Sequence, residues 1–337
     1  MKSVASAMRT ENLTAKQISD MTIRYITSPA FVIPTRGILE TEAKIKTWIT
    51  IGACGGIIYG RPRIGKTRCI YHIFEALQSK ECGNLPVIIW NITDHPDTEK
   101  NFYASFMMAM GFNYPKYQTA LALKERVLNE LIIRAVETPY RRIIILIDEA
   151  WKFYEKDFSW LMDLYNNLIA SDIQMMTFMF GTRELRDLKT TFKQCGNDQI
   201  IGRFMINEIH YSGINSEKEL QFCLASIDRL HVVSTGYEKL KESVLDFYFP
   251  NADGKTFFDL ADKYYEAFMK VREQHRVMSE DIPMKYFIDS FVICLNLYGI
   301  CGDMAVVFPD IQELINCIEM SGYGESDDEY DRRSKIG

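Results

Sequence analysis

Between residues 51 and 212 the apolar positions keep two rhythms in turn. Short, nearly continuous apolar runs lie at 55–60, 85–92, 142–148, 174–180 and 204–210. Between them apolar residues return every three or four positions: 66–79 (Ile70, Ile73, Phe74, Leu77), 98–110, 119–136, 157–171 and a short stretch near 184–191. The first rhythm fits strands buried on both faces, the second helices with one apolar stripe. Five strands alternating with helices predict an α/β fold with a parallel sheet sandwiched by helices. In such folds the ligand site lies at the C-terminal edge of the strands.

The flanks read differently. Residues 1–50 form an N-terminal helical extension. A helix is predicted over 14–26, with Thr14 as N-cap and Ile18, Met21 and Tyr25 on one face. An extended proline-containing stretch follows at 28–36, then a second helix at 38–51. After Gly213 only helical spacing is seen, at 216–230, 237–248, 257–274, 285–298 and 303–318, which predicts an all-helical lid over 213–320. Residues 321–337, with the run Glu-Ser-Asp-Asp-Glu-Tyr-Asp, read as a solvated, disordered acidic tail.

Composition narrows the classes. The 337 residues are 47% hydrophobic and 25% charged, ordinary for a globular protein, with net charge −6. That balance excludes a uniformly basic nucleic-acid glove but not a local basic stripe. No apolar run is long enough to span a bilayer, and the first residues lack the apolar stretch of a signal peptide. The eight cysteines are scattered without a Cys-x-x-Cys pair, as expected of reduced, mostly buried thiols in a cytoplasmic protein. Cys294 and Cys301 have no histidine near them, which argues against zinc.

The chemistry is concentrated in Gly60-Arg61-Pro62-Arg63-Ile64-Gly65-Lys66-Thr67. This is G-x-x-x-x-G-K-[ST], a loop whose backbone N–H groups cradle nucleotide phosphates, here between a strand and a helix that continues with Arg68. Pro62 has no N–H to offer, and Arg63 points toward solvent, a neighbouring subunit or nucleic acid. Lys66 is placed to neutralise the β- and γ-phosphates. The Thr67 hydroxyl is placed to bind Mg²⁺. Downstream, the apolar strand at 142–148 ends in Asp148-Glu149. Asp148 can hold the same Mg²⁺, and Glu149 can orient and deprotonate an attacking water. The adjacent Glu favours ATP hydrolysis over a metabolic kinase, in which water activation would waste ATP.

Three further features belong to this constellation. The strand at 174–180 runs into Gly181-Thr182 and is expected between the two motif strands, so Thr182 can reach the γ-phosphate or the water, or cap the following helix. Arg203 is expected at the opening of the last strand, where it can complete a neighbouring subunit's site. Arg183 and Arg186 compete for that role. Lys100, Lys116, Thr119, Lys124 and Arg126 lie between the second and third strands and could contact DNA phosphates, or simply form a solvated face.

The order GRPRIGKT, IIWNITDH, IIILIDEAWKF, IQMMTFMFGTRELRDL, QIIGRF and a helical lid with Gly302-Asp303 resembles the TnsC/TniB family of AAA+ ATPases, regulators of DNA transposition found also in CRISPR-associated transposons. The resemblance covers residues 20–320. It implies ATP and Mg²⁺ bound between subunits, a ring or helical filament on double-stranded DNA without sequence preference, and partners in a TniQ-like targeting protein and a TnsB-like transposase. By motif match Lys66, Thr67, Asp148, Glu149 and Thr182 carry over, with Arg203 as the arginine acting across subunits. The departures are Pro62 and Arg63 in the loop and the lack of an arginine after Gly302-Asp303. Other readings are a helicase loader or replication-initiator relative, a P-loop kinase, and a nucleotide-binding scaffold without activity. The intact motif residues argue against the last.

Overall fold

A computed structural model describes residues 13–113, 117–303 and 305–325. The chain divides into two compact units. One comprises Met1–Arg36, Arg63–Gly65 and Ser212–Gly337, the other Gly37–Pro62 and Lys66–Tyr211.

The second unit is the α/β sandwich. Its strands are β1 (Gly55–Tyr59), β2 (Val87–Asn91), β3 (Arg142–Asp148), β4 (Gln174–Gly181) and β5 (Asn207–His210). They pair in parallel in the order β2-β3-β4-β1-β5, so β4 does lie between the two motif strands. β3 and β4 are buried almost throughout, because helices cover both faces of the sheet. The helices are α2 (Arg36–Thr50), α3 (Lys66–Leu77), α4 (Glu99–Ala109), α5 (Ala120–Val136), α6 (Glu155–Ala170) and α7 (Arg183–Gln194), and α3 turns Cys69, Ile70, Ile73 and Leu77 inward. At Gly55 a Cβ would lie 2.4 Å from the Thr177 carbonyl oxygen, so only glycine lets β1 approach β4 this closely.

The last strand is shorter than expected from 204–210. Asp198–Ile200 is a single helical turn that runs into a π-helical turn, Ile201–Met205, and the strand begins only at Asn207. An apolar run such as QIIGRF buries equally well as strand or helix, and periodicity alone does not separate them. Arg203 therefore sits in the π-turn, not at a strand opening.

The first unit is built around its own core, which includes Ile26, Phe31, Leu224, Phe257, Phe268, Phe287 and Leu314. Of the expected extension over 1–50, the part up to Arg36 groups with this unit and the part from Gly37 with the other. Helix α1 (Ala15–Thr27) carries a Thr14–Gln17 capping box. Its Ser19 hydroxyl bonds the Tyr248 hydroxyl at 2.9 Å, and Thr22 Oγ1 accepts from the Val233 N–H at 3.1 Å. Phe31 and Ile33 are buried in the same core.

The remaining elements are α8 (Glu217–Ile227), β6 (His231–Val233), β7 (Lys239–Ser243), α9 (Val244–Tyr248), α10 (Ala261–His275), α11 (Met284–Tyr298) and α12 (Ile311–Met320). The antiparallel β6–β7 pair corrects the expectation of helices alone. Tyr237, at φ 62°, is not helical at the start of the helix expected over 237–248, and alternating exposure along Lys239-Leu240-Lys241 suits a strand. The last helix starts at Ile311, after Pro309, with Asp310 as N-cap. The expected tail also starts too early: Tyr323 is fully buried and accepts a hydrogen bond from Arg272 Nε at 3.1 Å. Among the described residues no helix is long and apolar enough to cross a membrane.

Candidate nucleotide site

Strand register assembles the site. Tyr59 of β1 lies beside Gly181 of β4, Ile147 of β3 beside Met179 of β4, and Asn91 of β2 beside Asp148. The residues that follow these ends, Gly60, Glu149 and Thr182, leave the sheet at one edge.

Gly60 donates its N–H to the Gly181 carbonyl at 3.2 Å, which ties the start of the loop to the tip of β4. Two loop residues have positive φ, Arg63 at 65° and Gly65 at 102°. Arg63 is an uncommon place for that conformation, since its side chain is not favoured there. Arg63, Ile64 and Gly65 group with the helical unit. There Arg63 donates to the Tyr286 hydroxyl, its guanidinium lies 5.7 Å from the Tyr286 ring centre, and its carbonyl accepts from the Lys285 N–H at 3.1 Å. Arg63 is exposed and at the same time partnered within its own unit. Pro62 is exposed and Ile64 buried.

Lys66 is the first residue of α3 and only 6% exposed. Its ammonium donates to the Gly60 and Arg61 carbonyl oxygens at 2.9 and 2.6 Å. Burial pushes its pKa down to about 8, against the pull of Glu149, Asp148 and Glu184. The Thr67 hydroxyl donates to Asp148 Oδ2 at 2.7 Å. Burial raises the Asp148 pKa, the Thr67 hydrogen bond opposes the rise, and the neighbouring Glu149 charge adds to it. Hydroxyl and carboxylate together are an oxygen-only pair. That suits Mg²⁺, which takes one or two protein oxygens and fills its shell with phosphates and water. Among the described residues no group of three or more His, Cys, Asp or Glu could hold a metal ion.

Glu149 leaves β3 in the left-handed region, at φ 58°, and its N–H bonds Asp148 Oδ1 at 3.0 Å. A non-glycine residue held there carries local strain, a feature that clusters at functional sites. The single 3₁₀ turn that follows, Ala150–Lys152, brings the Trp151 indole N–H to 2.6 Å from Glu149 Oε2. Lys152 then reaches back to the Ile92 and Thr93 carbonyl oxygens at 2.9 and 2.8 Å, pinning the turn to the end of β2.

Thr182 occupies the N-cap position of α7, yet its hydroxyl makes no capping bond. Its Oγ1 is buried and has no hydrogen-bond partner among the described residues. An orphaned buried hydroxyl beside the loop is costly unless a ligand completes it, so the atom fits a phosphate or water partner.

The other expected residues fall elsewhere. Arg203 lies along α6 of its own unit, with Nη1 3.3 Å from Met162 Sδ and its guanidinium 5.4 Å from the Tyr165 ring centre. Arg186 lies 5.5 Å from the Tyr59 ring, just before the loop, and Arg183 is exposed. Of the proposed DNA contacts, Thr119 caps α5 by accepting from the Ala122 N–H at 3.2 Å, Lys124 pairs with Asp163 at 3.1 Å, and Arg126 donates to Gln118 at 3.0 Å. Lys100 is half-buried at the start of α4, and Lys116 lies outside the described residues. Trp151, Lys152 and Glu184 were not singled out from sequence. The one available signal was Trp151-Lys152, one residue after the acidic pair.

Residues 52–188 match the family model described as an AAA domain. No curated protein sequence matches the chain. Among solved structures, the Aeropyrum pernix ORC2 protein, in ADPNP–ADP complexes, is similar with a TM-score of 0.50 and 14% identity, over 88% of this chain and 71% of that one. Drosophila ORC bound to DNA gives a TM-score of 0.49 at 15% identity, over 92% of this chain and 68% of that one. Cdc6p from Pyrobaculum aerophilum gives 0.45 at 14% identity, over 88% and 83%. Residues 52–188 are thus similar to an AAA domain, and the fold is similar to that of the Aeropyrum pernix ORC2 protein.

Proposed function

We propose that this chain is an ATP-hydrolysing assembly switch that oligomerises on double-stranded DNA and regulates transposition, linking a TniQ-like targeting protein to a TnsB-like transposase. The observation that carries the hydrolytic part is the Thr67–Asp148 bond of 2.7 Å beside Glu149 and the unpartnered Thr182 hydroxyl. On this reading Lys66 turns from the loop carbonyls to the β- and γ-phosphates. Thr67 and Asp148 hold Mg²⁺, which supplies positive charge against the phosphates. Glu149 orients a water in line with the γ-phosphate and accepts its proton. Thr182 donates to the γ-phosphate or fixes the water. Arg203 of a neighbouring copy neutralises charge on the transferring group.

The switch follows from thermodynamics. Nucleotide bound at a junction between copies favours the assembled state by its extra contacts there, and hydrolysis withdraws them. Many copies on one duplex make weak phosphate contacts collectively strong. The transposition role rests on the order of motifs from GRPRIGKT to QIIGRF. A replication-initiator or helicase-loader role is the second reading, favoured by the likeness of fold to the Aeropyrum pernix ORC2 protein. Electron microscopy with duplex DNA, with ATP, with a slowly hydrolysed analogue and without nucleotide, tests the switch. Nucleotide-dependent rings or filaments are expected, and monomers under every condition would sink it. Capture of a TniQ-like protein by the DNA-bound assembly supports transposition, and capture of a replicative helicase supports the second reading.

A further inference from the structure

We infer that Trp151 is a positioning residue for Glu149: its indole N–H holds one carboxylate oxygen and aims the other at the attacking water. The inference rests on the hydrolytic reading above. Glu149 has two side-chain oxygens, and one of them, Oε2, receives the indole N–H at 2.6 Å. A hydrogen bond to a carboxylate is charge-assisted and among the stronger kinds. The other, Oε1, makes no hydrogen bond to a described residue, so it is open to accept a proton from water.

The backbone explains why an external hold is needed. Glu149 sits at the end of a strand at φ 58°, outside the strand's ladder, and is only half-buried. Its side chain gains no fixed rotamer from sheet packing. The indole, in contrast, is fixed from several directions. It stands on the 3₁₀ turn Ala150–Lys152, closed by the Lys152 N–H to the Glu149 carbonyl at 3.1 Å. Ala150 of that turn is fully buried, and Lys152 anchors it to two carbonyls at the end of β2. Next to the N–H, the ring carbon Cδ1 borders the tip of β4, where a Cβ at Gly181 would lie 3.4 Å from it. Gly181 immediately precedes Thr182, whose hydroxyl is the orphan of the site. One rigid ring thus spans from the base on β3 to the polar tip of β4, and it sets where Glu149 stands relative to Thr182. Misplacing a general base by about 1 Å can cost on the order of a hundredfold in rate.

The test uses the full chain in single-turnover ATP hydrolysis with Mg²⁺, beside nucleotide affinity measured with a fluorescent analogue. Trp151→Phe keeps an aromatic ring and deletes the donor. A Trp151 analogue with sulfur in place of the indole N–H keeps shape and volume and covers the case in which the phenylalanine variant fails to fold. For either, the hydrolysis step is expected to slow about ten- to a hundredfold with affinity changed less than about twofold. In a Glu149→Gln background the same change is expected to add nothing, because residues acting as a unit are not additive. Full-rate hydrolysis by the sulfur analogue, faster hydrolysis, equal loss of affinity and rate, or a further loss in the Glu149→Gln background would each overturn the inference. Full-rate hydrolysis by Glu149→Gln alone would instead remove Glu149 as the base, and with it the reading on which this rests.

Discussion

The Thr67 hydroxyl and the Asp148 carboxylate, 81 residues apart in sequence, meet at 2.7 Å. Thr67 lies in the first turn of α3 and Asp148 ends β3, two strands from β1, which feeds the loop. On the proposed reading this hydroxyl and this carboxylate are the two protein oxygens that would hold Mg²⁺. Thr67→Ala and Asp148→Asn should both keep the fold and weaken Mg²⁺-dependent nucleotide binding by about tenfold or more, the value of a charge-assisted hydrogen bond or ligand. Calorimetric titration with and without Mg²⁺ checks this. Equal affinity for wild type and variants in Mg²⁺ would move the metal elsewhere.

Lys66 gives the binding a pH dependence with a definite sign. Burial lowers its pKa from 10.5 to about 8. Between those values the unfolded chain keeps a proton that the folded one has lost, so this group makes folding more favourable as pH rises through that window. Nucleotide works the other way, because phosphates favour the charged ammonium. Affinity should therefore be level below about pH 8 and fall above it, approaching tenfold per pH unit. Titration of a fluorescent nucleotide from pH 7 to 9.5 checks this. Lys66→Arg, which does not titrate in that range, should lose the slope. A flat profile for the wild type would contradict the lowered pKa.

Gly55 is fixed by close approach. Gly55→Ala would place a Cβ 2.4 Å from the Thr177 carbonyl oxygen, a backbone atom that cannot swing aside. The sheet must part locally, at a cost of about 2–3 kcal/mol. Chemical denaturation of the variant checks this, and unchanged stability would mean that β1 and β4 are further apart than described.

Tyr286→Phe removes the hydroxyl that receives the Arg63 guanidinium and keeps the ring 5.7 Å from it. Arg63 is exposed and regains water, so the loss should be small, about 1 kcal/mol. Tyr286→Ala also removes the stacking surface and a buried ring, and should cost about 3–5 kcal/mol. Comparing the two by thermal melting checks the division. Equal losses would show that the hydroxyl carries the interaction.

The phosphate loop, the strand alternation and the order of β4 between β1 and β3 were legible because each depends on local chemistry or on a parallel sheet's need for burial. What escaped depended on distant or conformational partners. Arg63 meets a tyrosine 223 positions away, which no local pattern reports. Trp151 reaches Glu149 only because Glu149 enters the left-handed region, a backbone state that its residue type does not announce. QIIGRF is apolar enough for strand or helix, so the π-turn that carries Arg203 was misread as strand. β7 falls within the helix expected over 237–248, and β6 within the gap before it, because Leu240 and its neighbours are too few to set a period.

The lifetime of the DNA-bound assembly after a single addition of ATP, compared for wild type and Glu149→Gln with hydrolysis followed in the same sample, tests the hydrolytic switch most directly. Glu149→Gln should bind ATP and assemble, hydrolyse about a hundredfold more slowly, and persist on DNA correspondingly longer. Wild-type turnover by Glu149→Gln, or assemblies that dissolve at the wild-type rate although hydrolysis has stopped, would contradict it.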